Sequence, residues 1–384
     1  MKNNIRKIIG FLMKYFFGNF KIQPNKIMFE TGVGEIKDNP KAFYDYLKKN
    51  NISDYNLKWA VNRGSDIRDV LPEEVVYKKT FSYYYHMATS KYWIRSHSVS
   101  CILKKRPEQV YIQLWHGPGA IKKQGYDIGN IPNNGETMEH AREWDFFIAT
   151  DEDNKRFIET ALNLKVPRIL LGSCRSDCLV SKSEIDYKEV RSELGIGENE
   201  IAILYAPTFR EEDFHKENIE INLKKLCNME GVRLILRLHP EVKKRIDMST
   251  FSSSVIDGNK YPDIYDLYVA SDIMIADYSS VAIEYSIFKK PILYYMYDLE
   301  SYMKERNFYY DYLNHLAGPI LETEDEVIDA INRIDDIKVL YADKYKEYYE
   351  KYNGLNDGHV CERLYKLLKD GYFDHINNKV KVYS

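Results

Sequence analysis

No run in this 384-residue chain approaches the ~20 apolar residues that a bilayer-spanning helix requires. The N-terminus carries no small-residue cleavage site of the signal-peptide kind. Cysteine is scarce: Cys101, Cys174, Cys178, Cys227 and Cys361 are odd in number and scattered. That excludes a disulfide framework and implies reduced thiols in a cytoplasmic protein. Cys174 and Cys178 lie four apart, but no second ligand pair accompanies them, so no metal site is expected. Neither sign of charge is in marked excess. A net charge of −3 gives no global attraction to nucleic acid, so any anion-binding surface is local. Low-complexity segments and tandem repeats are absent.

What remains is enough for two cores. Hydrophobic residues make up 44% of the chain and charged residues 29%, which argues against disorder and suits two domains at this length. Tyrosine is abundant, with 33 residues; an apolar body with a polar tip suits wet clefts and interfaces, unless the excess is only compositional. Residues 1–22 read as a basic amphipathic helix. Ile5, Ile8, Ile9, Leu12 and Phe16 fall at helical spacing beside Lys2, Arg6, Lys7, Lys14 and Lys21. Such a helix either lies in an anionic membrane surface or packs on its own domain.

From residue 23 the chain alternates strands and helices. Strand candidates are 26–30, 57–62, 75–78, 92–96, 109–116, 145–150 and 168–172, with a helix starting at Asn39-Pro40. The charged stretch 181–200 interrupts the rhythm and reads as an interdomain connection. A second series follows at 201–207, 232–240, 253–257, 272–280 and 291–298, and the chain is helical from Asp325 onward. Near-continuous apolar runs of this kind suit buried parallel sheets. The expected organisation is therefore two Rossmann-like α/β domains, 23–185 and 186–384, whose parallel sheets face a central cleft.

Unusual polar residues sit at the predicted carboxyl ends of these strands, where parallel sheets hold ligands. Trp115-His116 is followed by Gly117, Pro118, Gly119 and Ala120, then by Lys122 and Lys123 on what reads as the first turn of a helix. Free backbone N–H groups, glycines and two lysines make an anion site, and His116 titrates near neutral pH as a general base. Ala206-Pro207-Thr208 ends another strand, with Arg210 a partner for a phosphate. Arg237-Leu238-His239 places a cation and an imidazole on one side of a strand that Pro240 ends. Asp277-Tyr278 leads into Ser279 and Ser280, which either cap the next helix or hold phosphate oxygens. Glu284, one turn on, can accept from ribose or base.

These four sets, in this order, resemble the CDP-glycerol glycerophosphotransferase family of teichoic-acid synthesis. The resemblance rests on Trp115 to Gly117, Ala206 to Thr208, Arg237 to His239 and Asp277 to Ser280, and spans roughly residues 26 to 335. Lys290-Pro291, Tyr297-Asp298 and Tyr302 fit the tail of the pattern. This chain departs from the pattern in three places: Pro118-Gly119-Ala120 replaces Thr-Pro-Leu, Cys174 replaces a proline before Arg175, and Glu284 replaces an aspartate.

The resemblance implies a GT-B-like α/β fold, an acceptor-side N-terminal domain and a nucleotide-donor C-terminal domain. It implies a donor site of His116, Gly117, Pro118, Gly119, Ala120, Arg175, Pro207, Thr208, Arg237, Leu238, His239, Ser279, Ser280 and Glu284. His116 and His239 are its expected catalytic residues. The implied donor is CDP-glycerol, with no cofactor and no metal. The implied acceptor is an undecaprenyl-type lipid-linked glycan met at the cytoplasmic face of the membrane, with self-association allowed by the tyrosine-rich surface. The chain's length suits a primase, which adds the first unit, better than a polymerase. CDP-ribitol is an alternative donor, and a UDP-sugar glycosyltransferase the alternative of the same fold.

Overall fold

The computed structural model describes residues 10, 12–13, 15–97, 103–128, 141–182, 184–208, 210, 223–238, 248–261, 264–305, 308–309 and 311–374. Half of the basic helix expected over 1–22 lies outside these residues, including Lys2, Ile5, Arg6, Lys7, Ile8, Ile9 and Lys14. No helix among the described residues is long and apolar enough to cross a membrane.

The chain forms two compact units. The first draws on Met1–Gly117, Gln124–Cys178 and Leu355–Ser384, and the second on Pro118–Lys123 and Leu179–Gly354. Each is built on an all-parallel sheet. In the first unit the strands are β1 (Gln23–Thr31), β2 (Asn56–Val61), β3 (Val75–Tyr77), β4 (Ser90–Ser96), β5 (Val110–Gln113), β6 (Phe146–Ala149) and β7 (Arg168–Leu170). Their order is β3-β2-β1-β4-β5-β6-β7. In the second they are β8 (Ile201–Tyr205), β9 (Val232–Leu236), β10 (Val255–Asp257), β11 (Ile273–Ala276), β12 (Ile292–Tyr295) and β13 (Ile320–Leu321). Their order, β10-β9-β8-β11-β12-β13, repeats the doubly wound pattern. Each sheet reverses its order once, between β1 and β4 and between β8 and β11. β13, only two residues long, carries too little pattern to be read from sequence.

Three segments sit differently from expectation. The C-terminal helix α11 (Val360–Lys369) belongs to the first unit. Its apolar stripe of Val360, Cys361, Leu364 and Leu368 packs in one core with Ile27, Phe29, Phe43 and Leu47. Asp177 caps its start, accepting from Val360 N at 3.0 Å and Cys361 N at 2.8 Å. Periodicity identifies such a stripe but not the sheet it covers. The charged stretch 181–200 is an integrated element rather than a connection: α4 (Glu184–Glu193) carries a buried Arg191 that donates to the carbonyls of Ala270, Gly197 and Glu200 and to Asp272. Finally, Lys122 and Lys123 are not on a helix. Lys122 pairs as an antiparallel bridge with Phe308, and a 3-10 turn forms later, at Gly125–Ile128.

Many of the tyrosines solve a packing problem. Tyr268, Tyr278, Tyr285, Tyr294, Tyr312, Tyr348 and Tyr352 are all buried in the core of the second unit. Several hydroxyls find internal acceptors there, such as Ser271 O for Tyr285 and Asp298 for Tyr278.

Candidate active site

In the first unit the site is built where β1, β4 and β5 end. The apolar run predicted as strand 109–116 stops at Gln113, because Trp115 adopts a left-handed backbone with φ +55. A buried asparagine holds that turn. Asn39 donates from its amide to Leu114 O and Trp115 O, both at 3.1 Å. Its Oδ1 accepts from Ser173 Oγ at 2.9 Å and Arg175 N at 3.1 Å. The turn delivers His116 onto His97, the two rings stacking at 3.9 Å between centroids and 10° between planes.

His97 follows β4 directly and also has a left-handed backbone, φ +60. Gly32 makes room for it, since a Cβ at that position would stand 2.5 Å from the Cβ of His97. His97 Nδ1 lies 3.2 Å from Ser96 Oγ and 3.6 Å from Asp38 Oδ2. Asp38 starts α1 (Asp38–Lys49) with φ +69, and its Oδ1 accepts from Arg175 Nη1 at 2.8 Å. Pro40 is thus the third residue of that helix rather than its first.

Burial disfavours the charged form of both stacked rings. Burial pushes the His116 imidazole down to about 3; the neighbouring His97 ring and the Arg175 charge act in the same direction, and Asp38 opposes them. Burial likewise lowers His97. His116 Nδ1 and Asp38 Oδ2 are enclosed and make no hydrogen bond. The sequence points to His116 and Arg175 but not to His97, Asp38 or Asn39, which the structure places beside them. Position was the available signal: each follows a buried strand beside the point where the sheet reverses its order.

In the second unit the corresponding point is where β8 and β11 end. There Thr208 N donates to both oxygens of Asp277, at 3.0 and 2.8 Å, while Thr208 Oγ1 accepts from Lys122 Nζ at 3.2 Å. Pro207, partly buried, stops the ladder just before it. Arg210, expected to meet a phosphate, is instead buried among protein partners. It pairs with Asp277 and Asp298 and packs on the rings of Tyr278 and Tyr302, which stack at 3.6 Å.

β9 ends at Leu236, so Arg237 stands beyond the strand. Its Nη1 donates to Gly258 O at 2.7 Å and Tyr261 O at 2.6 Å, and Leu238 N donates to Asn259 Oδ1 at 2.9 Å. This pins 237–238 to the turn after β10. His239, expected beside Arg237, lies outside the described residues. Ser279 Oγ accepts from Val281 N at 3.4 Å, whereas Ser280, the residue before α6 (Val281–Tyr285), makes no side-chain cap. Glu284 is buried, with Oε2 accepting from Tyr268 OH at 3.4 Å. Gly119 has φ +68, and a Cβ there would come within 2.8 Å of Ile283 Cδ1; Ala120 beside it is buried. Gly117, the last residue of its segment of the first unit, precedes Pro118 of the second. Among the described residues no group of three His, Cys, Asp or Glu side chains gathers to hold a metal.

Residues 12–370 match the family model for CDP-glycerol:poly(glycerophosphate) glycerophosphotransferase. A teichoic acid glycerol-phosphate transferase of Staphylococcus aureus is 32% identical, over 95% of this chain and 98% of that protein. A teichoic acid poly(glycerol phosphate) polymerase of Bacillus spizizenii is 31% identical, over 89% and 91%. The solved structure of a variant of the wall teichoic acid polymerase TagF with CDPG superposes with a TM-score of 0.84 at 25% identity, covering 96% of this chain and 95% of that one.

Proposed function

Because the chain belongs to the CDP-glycerol:poly(glycerophosphate) glycerophosphotransferase family, we propose that it transfers glycerol phosphate from CDP-glycerol to a hydroxyl of a lipid-linked glycan, releasing CMP, in the synthesis of teichoic acid or a related polyol-phosphate polymer. The observation that carries this reading is the strained Trp115–His116 turn, which presents a neutral imidazole at the carboxyl end of β5.

In the proposed reaction the acceptor oxygen attacks the glycerol-bearing phosphorus in line. A new P–O bond forms as the bond to the CMP oxygen breaks, and His116 takes the hydroxyl proton. Phosphoryl transfer needs charge stabilisation above all. In the second unit Thr208, Ser279, Ser280 and Arg237 are the donor-binding candidates, joined by His239. In the first, Arg175 supplies a fixed cation. Fixed cations and backbone N–H groups replace a metal in this scheme, so turnover is expected to persist in EDTA.

Two finer assignments accompany it. The chain acts as a primase, adding one unit. It also works at a membrane surface. Leu12, Tyr15, Phe16 and Phe81 leave apolar surface exposed on the first unit, with the rings of Phe16 and Phe81 6.2 Å apart. Flotation with anionic vesicles tests the second point. CMP release from CDP-glycerol and from CDP-ribitol, with a lipid-linked disaccharide acceptor, tests the reaction. Release from CDP-glycerol with a single-unit product is expected; release only from CDP-ribitol, or from neither, overturns it.

A further inference from the structure

We propose that His97 and Asp38 are positioning residues for His116: His97 holds the ring by stacking, and Asp38 supplies the negative charge that steadies the imidazolium formed as the acceptor proton is taken. This rests on His116 acting as the base.

The backbone is the first line of support. Asp38, His97 and Trp115 all adopt left-handed conformations, at φ +69, +60 and +55. None is glycine, so each costs free energy that the surrounding structure must offset. All three meet at one place, and the result of the strain is a single ring pair, His97 on His116 at 3.9 Å. A helix start, a strand end and a turn are each distorted to bring one carboxylate and two imidazoles together.

Chemistry is the second. A neutral imidazole becomes a cation when it accepts a proton, and a buried cation needs a counter-charge. Among the described residues the charged or titratable groups acting on the two rings are Asp38, Arg175, Lys37 and the rings themselves. Asp38 is the sole negative one. Arg175 occupies Asp38 Oδ1, while Oδ2 points to His97 and makes no hydrogen bond. That oxygen is the acceptor in reserve. The His97 ring, stacked face to face on His116, shields it from water in the resting state.

The two residues therefore have opposite electrostatic signatures at His116. Asp38 raises its proton affinity, and His97 lowers it by covering the ring and keeping it dry. Asp38→Asn should move the acid limb of kcat to lower pH and His97→Ala should move it to higher pH, each by about half to one unit. Both should lower kcat by about 10-fold or more, a typical share of general-base catalysis, with KM for CDP-glycerol changed less than 3-fold or so. His97→Phe, which keeps a flat ring and removes the ionisation, should recover most of the rate.

A second readout does not depend on turnover. Carbethoxylation of His116 by diethyl pyrocarbonate, followed by mass spectrometry of its peptide, should accelerate in His97→Ala and stay near wild type in His97→Phe. Faster modification and opposite pH shifts, in variants whose melting temperatures show them folded, support the proposal. Wild-type kcat with unmoved limbs and unmoved His116 reactivity in His97→Ala and Asp38→Asn, alongside an inactive His116→Ala, overturns it. Wild-type CMP release by His116→Ala overturns instead the base reading on which it rests; the modification rate then still decides whether His97 covers the ring.

Discussion

Arg210 and Asp298 form a two-point ion pair, Nε to Oδ2 at 2.5 Å and Nη2 to Oδ1 at 3.1 Å. The guanidinium also donates to Asp277 and lies against Tyr278 and Tyr302, so a residue that sequence alone offers to a phosphate is spent on holding the ends of β8, β11 and β12 together. Removing one partner from such a buried group leaves charge uncompensated, at about 3–5 kcal/mol. Arg210→Met, which strands two carboxylates, should lose that much in urea unfolding. Asp298→Asn should lose less, because Asp277 still neutralises the cation. Arg210→Lys should fall between them, since it keeps the charge but not the fork or the stacking. Equal stability for all three would mean that the cluster contributes nothing.

Asn39 carries the second prediction. Its side chain makes four hydrogen bonds inside the first unit, two of them to the carbonyls beside the strained Trp115. Asn39→Ala leaves those partners buried and unmatched, at about 1–3 kcal/mol for each group, and frees the turn that aims His116. Lower stability and a fall in kcat of about 10-fold or more are expected together, because misplacing a catalytic group is expensive in rate. A variant that melts early yet turns over at the wild-type rate once folded would separate Asn39 from catalysis.

The contrast between Arg210 and Asn39 shows what could be read from the chain. Twelve of the strands announce themselves as apolar runs, because buried parallel strands are apolar on both faces. The ends of those strands mark the site for the same reason: polar residues cannot continue into a core. His116, Thr208 and Ser279 are candidates on that ground. Partners that lie far apart in sequence are not. Nothing local tells that Asn39 reaches Trp115, that Asp298 claims Arg210, or that the stripe of α11 returns to the first sheet. His97 was missed for a related reason, since a histidine after Tyr-Trp-Ile-Arg-Ser looks like the frayed end of a strand until β5 is laid beside it.

pH dependence gives a third test. The folded His116 is lowered to about 3 and His86 to about 4, in both cases chiefly by burial, with positive or titrating neighbours adding to it. Unfolded histidine titrates near 6.5, so between there and about 4 the unfolded chain binds protons that the folded chain does not. Stability must then fall as pH drops through that window, by at most about 1.4 kcal/mol per pH unit for each such histidine. His116→Phe and His86→Phe should each flatten the slope. The same depression predicts that kcat/KM for CDP-glycerol, which reports the free enzyme, shows no histidine-like fall near 6.5 but continues to more acid pH. A limb at 6.5 that disappears in His116→Ala would show that the ring is more hydrated than its packing implies.

Gly119 closes the set, because its backbone and its surroundings both demand the absence of a side chain. With φ +68, an alanine there sits in a region that costs on the order of 1–2 kcal/mol. Its Cβ would stand 2.8 Å from Ile283 Cδ1, in the helix that follows Ser279 and Ser280. Ile283 is fully buried, so it can yield only by disturbing the core around it. Gly119→Ala should therefore destabilise the second unit and also shift the Ser279–Ser280 turn, raising KM for CDP-glycerol several-fold more than it lowers kcat. Ile283→Val in the same chain removes the methyl that the new Cβ would strike. If the clash is the cause, the double variant recovers donor affinity while the cost of the positive φ remains. If affinity stays low, the strained backbone at Gly119, rather than its neighbour, is what the donor requires.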